Sequence, residues 1–162
     1  MSASAGRGLT VRERRALSPG LVRALEAAGV QARIVDRAHP AARVAGLWRG
    51  RPPILARPGR VFWPDAPDDA AEAGPTLMGV LQHELQHLYD YACGSLSAAR
   101  YLTNSRHWRY GYGLRPQSQW RDFGAEQRAS IAEDYWLLSH GHAAAGATPA
   151  SLADYERVLP WM

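Results

Sequence analysis

The sequence predicts an α+β domain in which a small, mostly antiparallel sheet packs against two long helices. The chain has 162 residues, of which 46% are hydrophobic, so it is long enough to bury one core. Short alternating segments rich in β-branched residues occur before residue 64, and two long segments with helical periodicity follow. We therefore expect residues 1–162 to form a single domain, with residues 1–8 as a flexible tail.

The elements before residue 75 are predicted to be short. Ser18-Pro19 supplies a capping residue and a proline suited to the first helical position, so a helix is expected over 19–28. Residues 9–15 are ambiguous between a loop and a helical turn, and the acidic run PDAPDDAAEAGP is expected to be a loop. Pro58-Gly59 favours a hairpin, and Pro53 favours an edge position for its first strand. Strands are expected at 32–36, 44–48, 53–57 and 60–63.

Two longer helices are predicted further along the chain. The first covers about 75–93, between Pro75 and Gly94, and its apolar stripe consists of Leu77, Met78, Leu81, Leu85, Leu88 and Tyr89. The second covers about 123–140 and is expected to be capped by Asp122. Shorter helices are expected over 95–102 and 149–158, and the aromatic segment 104–120 is expected to be a functional loop.

The sequence HELQH, in the middle of the first long helix, predicts a metal site. His83 and His87 are four residues apart and lie on one face of the helix, so both imidazoles can bind one cation. Glu84 is next to the first ligand, where it can reach a metal-bound water without binding the metal. Zinc lowers the pKa of such a water to about 7, and a carboxylate can then accept its proton.

A catalytic zinc site needs a third protein ligand, and several candidates are present. The extended pattern HExxHxxGxxH is excluded, because Asp90 occupies its glycine position and Cys93 its third histidine position. Glu126 is favoured, because a second helix crossing the first can present a carboxylate to the two histidines. His107, in the aromatic loop, and Glu133, two turns beyond Glu126, remain alternatives.

Other polar residues are predicted to support this site. Ser130 is one helical turn beyond Glu126 and could orient a ligand histidine, and Asp90 or Asp134 could do the same. A hydrolase must also stabilise an oxyanion. The candidates for that role, all in the aromatic segment, are His107, Tyr110 and Tyr112.

Composition limits the partners and the compartment. All 19 basic residues are arginine and the net charge is +4, but the arginines are scattered, so nucleic acid is not the expected partner. With one cysteine there is no internal disulfide. We find neither a signal-peptide h-region nor a stretch of 18 apolar residues, so a cytoplasmic protein, or one exported without a cleavable signal peptide, is expected.

Three segments resemble a known family: HELQHLYDYACGSLSAARYL, HWRYGYGLRP and FGAEQRASIAEDYW. They are similar to small bacterial zincin-like proteins known as Vgr-related, that is, related to the spike proteins of type VI secretion. The resemblance covers about 75–140. It implies a minimal zincin-like metallopeptidase fold, with His83, His87 and Glu126 as metal ligands and Glu84 as base. An acidic residue commonly stands at the position of Ser130 in that family.

Two functions follow as hypotheses. The first is a zinc metallopeptidase that cleaves a peptide or other amide bond of an unidentified peptide or protein substrate, using a water activated by Glu84. The second is a catalytically weak or inactive zincin-like binding or structural module that associates with a secretion-spike partner. An open coordination position on the metal would favour the first, and a site closed by four protein ligands the second.

Overall fold

A four-stranded sheet and two long helices organise the computed structural model, which describes residues 6–43, 52–144 and 150–162. The strands are β1 (Arg7–Gly8), β2 (Arg33–Val35), β3 (Leu55–Arg57) and β4 (Arg60–Phe62), in the order β1-β2-β4-β3. The β1–β2 and β3–β4 pairs are antiparallel and β2–β4 is parallel, which confirms a small, mostly antiparallel sheet. The fold is a mixed α+β arrangement.

The predicted hairpin is confirmed, with β3 and β4 joined across Pro58-Gly59. Because β3 is an edge strand, the proline that precedes it removes no hydrogen bond from the interior of the sheet. The strand predicted at 32–36 is present as β2. The one predicted at 44–48 lies outside the described residues.

The helices follow the predicted order. The motif helix, Pro75–Ala92, carries HELQH, and the glutamate helix, Ala125–Ser139, carries Glu126. Residues 40–43 are also helical. The remaining α-helices are Val11–Ala16, Pro19–Ala27, Ala70–Ala73, Ala98–Thr103 and Leu152–Val158, and 3-10 turns occur at Ser105–Trp108 and Trp120–Asp122.

Two predictions about the N-terminal half are wrong. Residues 1–8 are not all a flexible tail, because Arg7 and Gly8 form β1 and Arg7 pairs with buried Glu13; residues 1–5 lie outside the described part. The acidic run is not all loop, because it contains the helix Ala70–Ala73. Asp69 caps that helix by accepting backbone N–H bonds with its side chain, which explains a local helix in a turn-rich sequence.

The C-terminal half brings one more correction. Asp122 does not cap the glutamate helix; Gly124 is the N-cap residue, and its backbone N–H donates to Oε1 of Gln127. Asp122 instead accepts from the N–H of Gln119 in the preceding 3-10 turn. The last helix begins after Ser151, and the predicted start at 149 lies outside the described residues.

The core lies between the sheet and the two long helices. The motif helix buries Met78, Leu81, Leu85 and Leu88, as its stripe predicts, and each such side chain contributes about 1.5–3 kcal/mol on burial. The glutamate helix packs along the motif helix, with Gly79 close to Glu133. Across the described residues, no helix combines the length and apolarity that a membrane span needs.

Candidate metal centre

Two histidines of the motif helix form the first half of the site. His83 and His87 are buried, and their ring centroids are 5.0 Å apart. The helical repeat alone explains this pairing, since residues four apart lie one above the other on the same face. Both side chains are in the middle of a long packed helix.

Glu126, the second residue of the glutamate helix, completes the cluster. Its Oε2 atom lies 3.2 Å from Nε2 of His83 and 3.3 Å from Nε2 of His87. The three potential ligand atoms all lie within 4.8 Å of one another. The structure thus brings together the three residues that the sequence indicated as ligands, and Glu126 lies in the first turn of its helix.

The distances within the cluster suit a small cation. Two imidazole nitrogens and one carboxylate oxygen, each about 2.0–2.2 Å from a tetrahedral ion, are separated from one another by about 3.3 Å. The observed 3.2 and 3.3 Å separations agree with that value. His83, His87 and Glu126 are therefore placed to bind a metal ion.

Glu133 orients the first histidine. Its Oε2 lies 3.0 Å from Nδ1 of His83, on the ring atom that does not face Glu126. When Nδ1–H donates to this carboxylate, Nε2 carries the lone pair that binds a metal. Glu133 thus supports a ligand, and it is not one of the three residues in the metal cluster. A carboxylate is therefore present behind His83, although Ser130 is not acidic.

The electrostatics of the cluster favour a positive charge between its members. Burial acts to lower the pKa of His83, but hydrogen bonds to Glu126 and Glu133 outweigh it and raise the pKa to about 10. Burial acts to raise the pKa of Glu126, but the contacts with His83 and His87 lower it. The carboxylate is therefore ionised, and a proton or a metal ion can satisfy the atoms that face it.

Glu84 lies beside the cluster with one oxygen available. Its side chain is buried, and within the described residues Oε2 has no hydrogen-bond partner. Burial raises its pKa, and the positive charges of His87 and His83 oppose that shift. A buried carboxylate with a raised pKa and a free oxygen is suited to exchanging protons with a nearby water.

Tyr101 contacts the site, although the sequence analysis did not single it out. Its hydroxyl donates to Oε1 of Glu126 at 2.7 Å, leaving Oε2 of that carboxylate to face the histidines. Burial, and then the charge of Glu126, raise the pKa of Tyr101, so the hydroxyl keeps its proton. No spacing rule connects residue 101 to residue 126, and only the fold brings them together.

The other predicted residues divide into two groups. Tyr110 is near the cluster, with its ring stacked 6.2 Å from that of His83. His107 is instead held at the start of the glutamate helix, where Nδ1 accepts the N–H of Ala125, and Tyr112 is hydrogen bonded to Asp134 and Tyr155. The structure therefore does not bring His107 or Tyr112 into the cluster.

Asp90 and Cys93 lie at the C-terminal end of the motif helix. Asp90 is buried, 3.6 Å from Nη1 of Arg128, and accepts a hydrogen bond from Gln86. Cys93 is an exposed free thiol that follows the last residue of the helix. Both residues lie outside the three-residue cluster, which agrees with the exclusion of the longer HExxHxxGxxH pattern.

A cavity of about 520 Å³ opens onto the cluster. All three potential ligands and Glu84 line it, as do Tyr101 and Tyr110. Its other walls are mostly apolar. They are formed by the edge strand β3 and by the side chains of Ile54, Leu96 and Leu102. A molecule bound in this cavity would lie against both the metal ligands and Glu84.

The fold and these side chains define a mixed α+β domain with a buried His/His/Glu cluster that can bind a metal ion. Among solved structures, the chain is similar to the effector domain of Pseudomonas aeruginosa VgrG2b, with a TM-score of 0.63 and 22% identity over 86% of this chain and 78% of that one. At this identity the similarity is one of fold, and it fits the Vgr-related resemblance of the sequence. No family model matches the chain, and no curated protein does.

Proposed function

We propose that this protein is a zinc-dependent hydrolase of the metallopeptidase class with a zincin-like fold. One observation carries the proposal: the buried His83, His87 and Glu126 cluster lies beside the unpartnered Oε2 of Glu84, in a cavity large enough for a substrate side chain. Three protein ligands leave a coordination position for water, which is the arrangement of catalytic zinc sites.

The chemistry divides among these residues. Nε2 of His83, Nε2 of His87 and Oε2 of Glu126 would hold the metal, which when bound supplies a Lewis acid that polarises a carbonyl and acidifies a water. Glu84 accepts the proton of the attacking water and passes it to the leaving amine. Glu133 fixes the orientation of His83 through Nδ1.

We assign oxyanion stabilisation to the tyrosine side of the cavity. Of the three residues that the sequence suggested for this role, Tyr110 lines the cavity, whereas His107 and Tyr112 are engaged elsewhere. Tyr110 is 58% exposed, so its ring can adjust when a substrate binds. His107 and Tyr112 would then act by supporting the glutamate helix.

The biological setting we propose is that of an effector domain that works with a secretion spike. The name of the VgrG2b effector domain supports this setting, as does the Vgr-related resemblance of the sequence. Co-purification of this chain with a purified VgrG-type spike protein tests it; failure to co-purify at micromolar concentrations would contradict a stable complex.

The alternative is a zincin-like binding module that uses the metal only for stability. The free oxygen of Glu84 argues against it, because a purely structural site gains nothing from a buried, unpartnered carboxylate. Spectroscopy of the cobalt-substituted protein would distinguish the two, since a water ligand exchanges with added anions and a closed four-ligand site does not.

The deciding experiment combines metal content with peptidase activity. Elemental mass spectrometry should find about one zinc per chain, lost in His87→Ala and Glu126→Ala but kept in Glu84→Gln. Glu84→Gln should then lose cleavage of a peptide library by at least about 100-fold. The matched control is Glu26→Gln, at an exposed glutamate, which should keep both metal and activity. Wild-type rates in Glu84→Gln would exclude Glu84 as the base.

A further inference from the structure

Three arginines lie side by side across the sheet. Arg33 of β2 is the register partner of Arg60 of β4, and Arg60 is in turn the partner of Arg57 of β3. Cross-strand partners point to the same face of a sheet, and neighbouring strands are about 4.8 Å apart. The next residues on these strands point to the other face and are buried in the core: Ile34, Val61 and Ala56. We call the three side chains on the outer face the arginine row.

Within the described residues, no acidic side chain forms an ion pair with the arginine row. All 15 Asp and Glu residues fall within the described segments, and none of the ion pairs there involves a member of the row. Like charges placed directly opposite each other destabilise a sheet. Anionic groups from another molecule would remove that repulsion.

One end of the row belongs to the cavity of the metal centre. Arg57 lines this cavity, and its Nη1 donates to the carbonyl of Ala56 at 3.2 Å and to the hydroxyl of Tyr91 at 3.3 Å. Tyr91 is one turn beyond His87 on the motif helix, a rise of about 6 Å. The guanidinium is thus held between β3 and the motif helix, in the same cavity as the metal ligands.

His39 lies close enough to this end of the sheet to respond to the charge of Arg57. The pKa of His39 is lowered, first by burial and then by the charges of Arg57 and Arg37. Apart from Arg57, the charged or ionisable residues lining the cavity are the metal cluster and Glu84, together with three tyrosines. Among the described residues that line this cavity, Arg57 is therefore the strong cation available to a ligand.

We propose that the arginine row anchors acidic side chains of a polypeptide substrate, with Arg57 binding a carboxylate inside the cavity that also holds the metal centre. This inference rests on the proposed hydrolase function and names its substrate class: an acidic segment that also carries an apolar residue for the cavity wall. Arg60 and Arg33 extend the anchor to acidic side chains that are further from the scissile bond.

Binding to a protein that cannot cleave tests the anchor directly. Zinc-loaded Glu84→Gln would be titrated with two fluorescent peptides that differ only in three Glu or three Gln on one side of a leucine, both with blocked termini. The Glu peptide should bind at least about fivefold more tightly at low salt, and about 0.5 M salt should reduce the difference.

Variants locate the effect. Adding Arg57→Gln should abolish the preference for the Glu peptide, Arg57→Lys should keep part of it, and Arg60→Gln should reduce it. Arg23 is exposed on the helix Pro19–Ala27, outside the row and the cavity, so Arg23→Gln is the matched control that removes one positive charge and should keep the preference.

The possible outcomes separate this proposal from the proposed function. Equal binding of the two peptides would overturn the acidic anchor. Tighter binding of a single-stranded oligonucleotide than of the Glu peptide would overturn it in favour of phosphate. Cleavage by the wild-type protein without acidic preference would leave the hydrolase standing and reject the anchor. Preferred binding of the Glu peptide, with no cleavage of it by the wild-type protein, would support the acidic anchor and reject the hydrolase function.

Discussion

Oε2 of Glu133 lies 3.0 Å from Nδ1 of His83, so a carboxylate of the glutamate helix fixes which ring nitrogen of the motif helix faces the metal site. This contact joins the two long helices at the three-residue cluster. The sequence left Glu133 as an alternative metal ligand. The contact gives it a different role, that of supporting the ligand His83.

Replacing Glu133 should weaken metal binding without unfolding the protein. Glu133→Ala removes the acceptor for Nδ1–H of His83, and loss of such an outer partner typically costs about 10- to 100-fold in metal affinity. Glu133→Gln keeps an acceptor oxygen and should lose less. Competition with a chromophoric chelator measures both, with Ser130→Ala as control. A larger loss for Ser130→Ala than for Glu133→Ala would show that Ser130 is the supporting residue.

Tyr101→Phe should also lower metal affinity, by about tenfold. The variant removes a 2.7 Å hydrogen bond to an ionised carboxylate, a contact worth about 1.5–3 kcal/mol, and frees Glu126 to turn away from the histidines. The same titration measures the loss. Tyr89→Phe, on the motif helix outside the cavity lining, is the matched control. Unchanged affinity in Tyr101→Phe would mean that packing alone positions Glu126.

Glu13→Gln should destabilise the fold by about 1–3 kcal/mol near neutral pH. The buried Glu13 carboxylate accepts hydrogen bonds from Arg7, Ala70 and Thr10, and so joins β1 to two helices. Urea unfolding measures the free energy. Glu26→Gln, which removes an exposed partner of Arg14, should change it by less than about 0.5 kcal/mol.

The effect of Glu13 should depend on pH in a defined direction. Burial acts to raise the pKa of this carboxyl, but the hydrogen bonds from Arg7 and the two backbone N–H groups outweigh it and lower the pKa. A lowered native pKa gives stability that is present above the ordinary carboxyl pKa of about 4.3 and is lost as the pH falls through the native value. The difference between wild type and Glu13→Gln should therefore shrink below about pH 4. A difference that grows on acidification would contradict the assignment.

Gly124→Ala should destabilise the start of the glutamate helix by about 1–3 kcal/mol and weaken metal binding with it. A Cβ at this position would overlap the carbonyl oxygen of Arg106, which is backbone and cannot move aside cheaply. Gly111→Ala is the control, since a Cβ there meets nothing within 4 Å. Thermal unfolding and zinc titration of both variants measure the effect. Equal stability and equal zinc affinity in the two variants would show that the backbone around Arg106 can move to accommodate a Cβ at residue 124.

Local sequence patterns were enough to predict much of this protein's secondary structure and part of its candidate metal site. The helical repeat set the pairing of His83 with His87, and apolar periodicity indicated the motif helix and its buried face. Pro58-Gly59 placed the hairpin. These features depend on residues close together in the chain, so composition and spacing determine them.

The sequence by itself also favoured Glu126, but only the tertiary structure decided what surrounds it. Glu133, Tyr101 and the arginine row take their roles from how two helices pack and how three strands align, and no local spacing encodes either. Likewise, His107 and Tyr112 lie in the predicted functional segment, yet packing directs them to Ala125 and Asp134. Helix periodicity chooses the face that bears the ligands; long-range packing chooses the partners of that face, because those contacts join residues far apart in the chain.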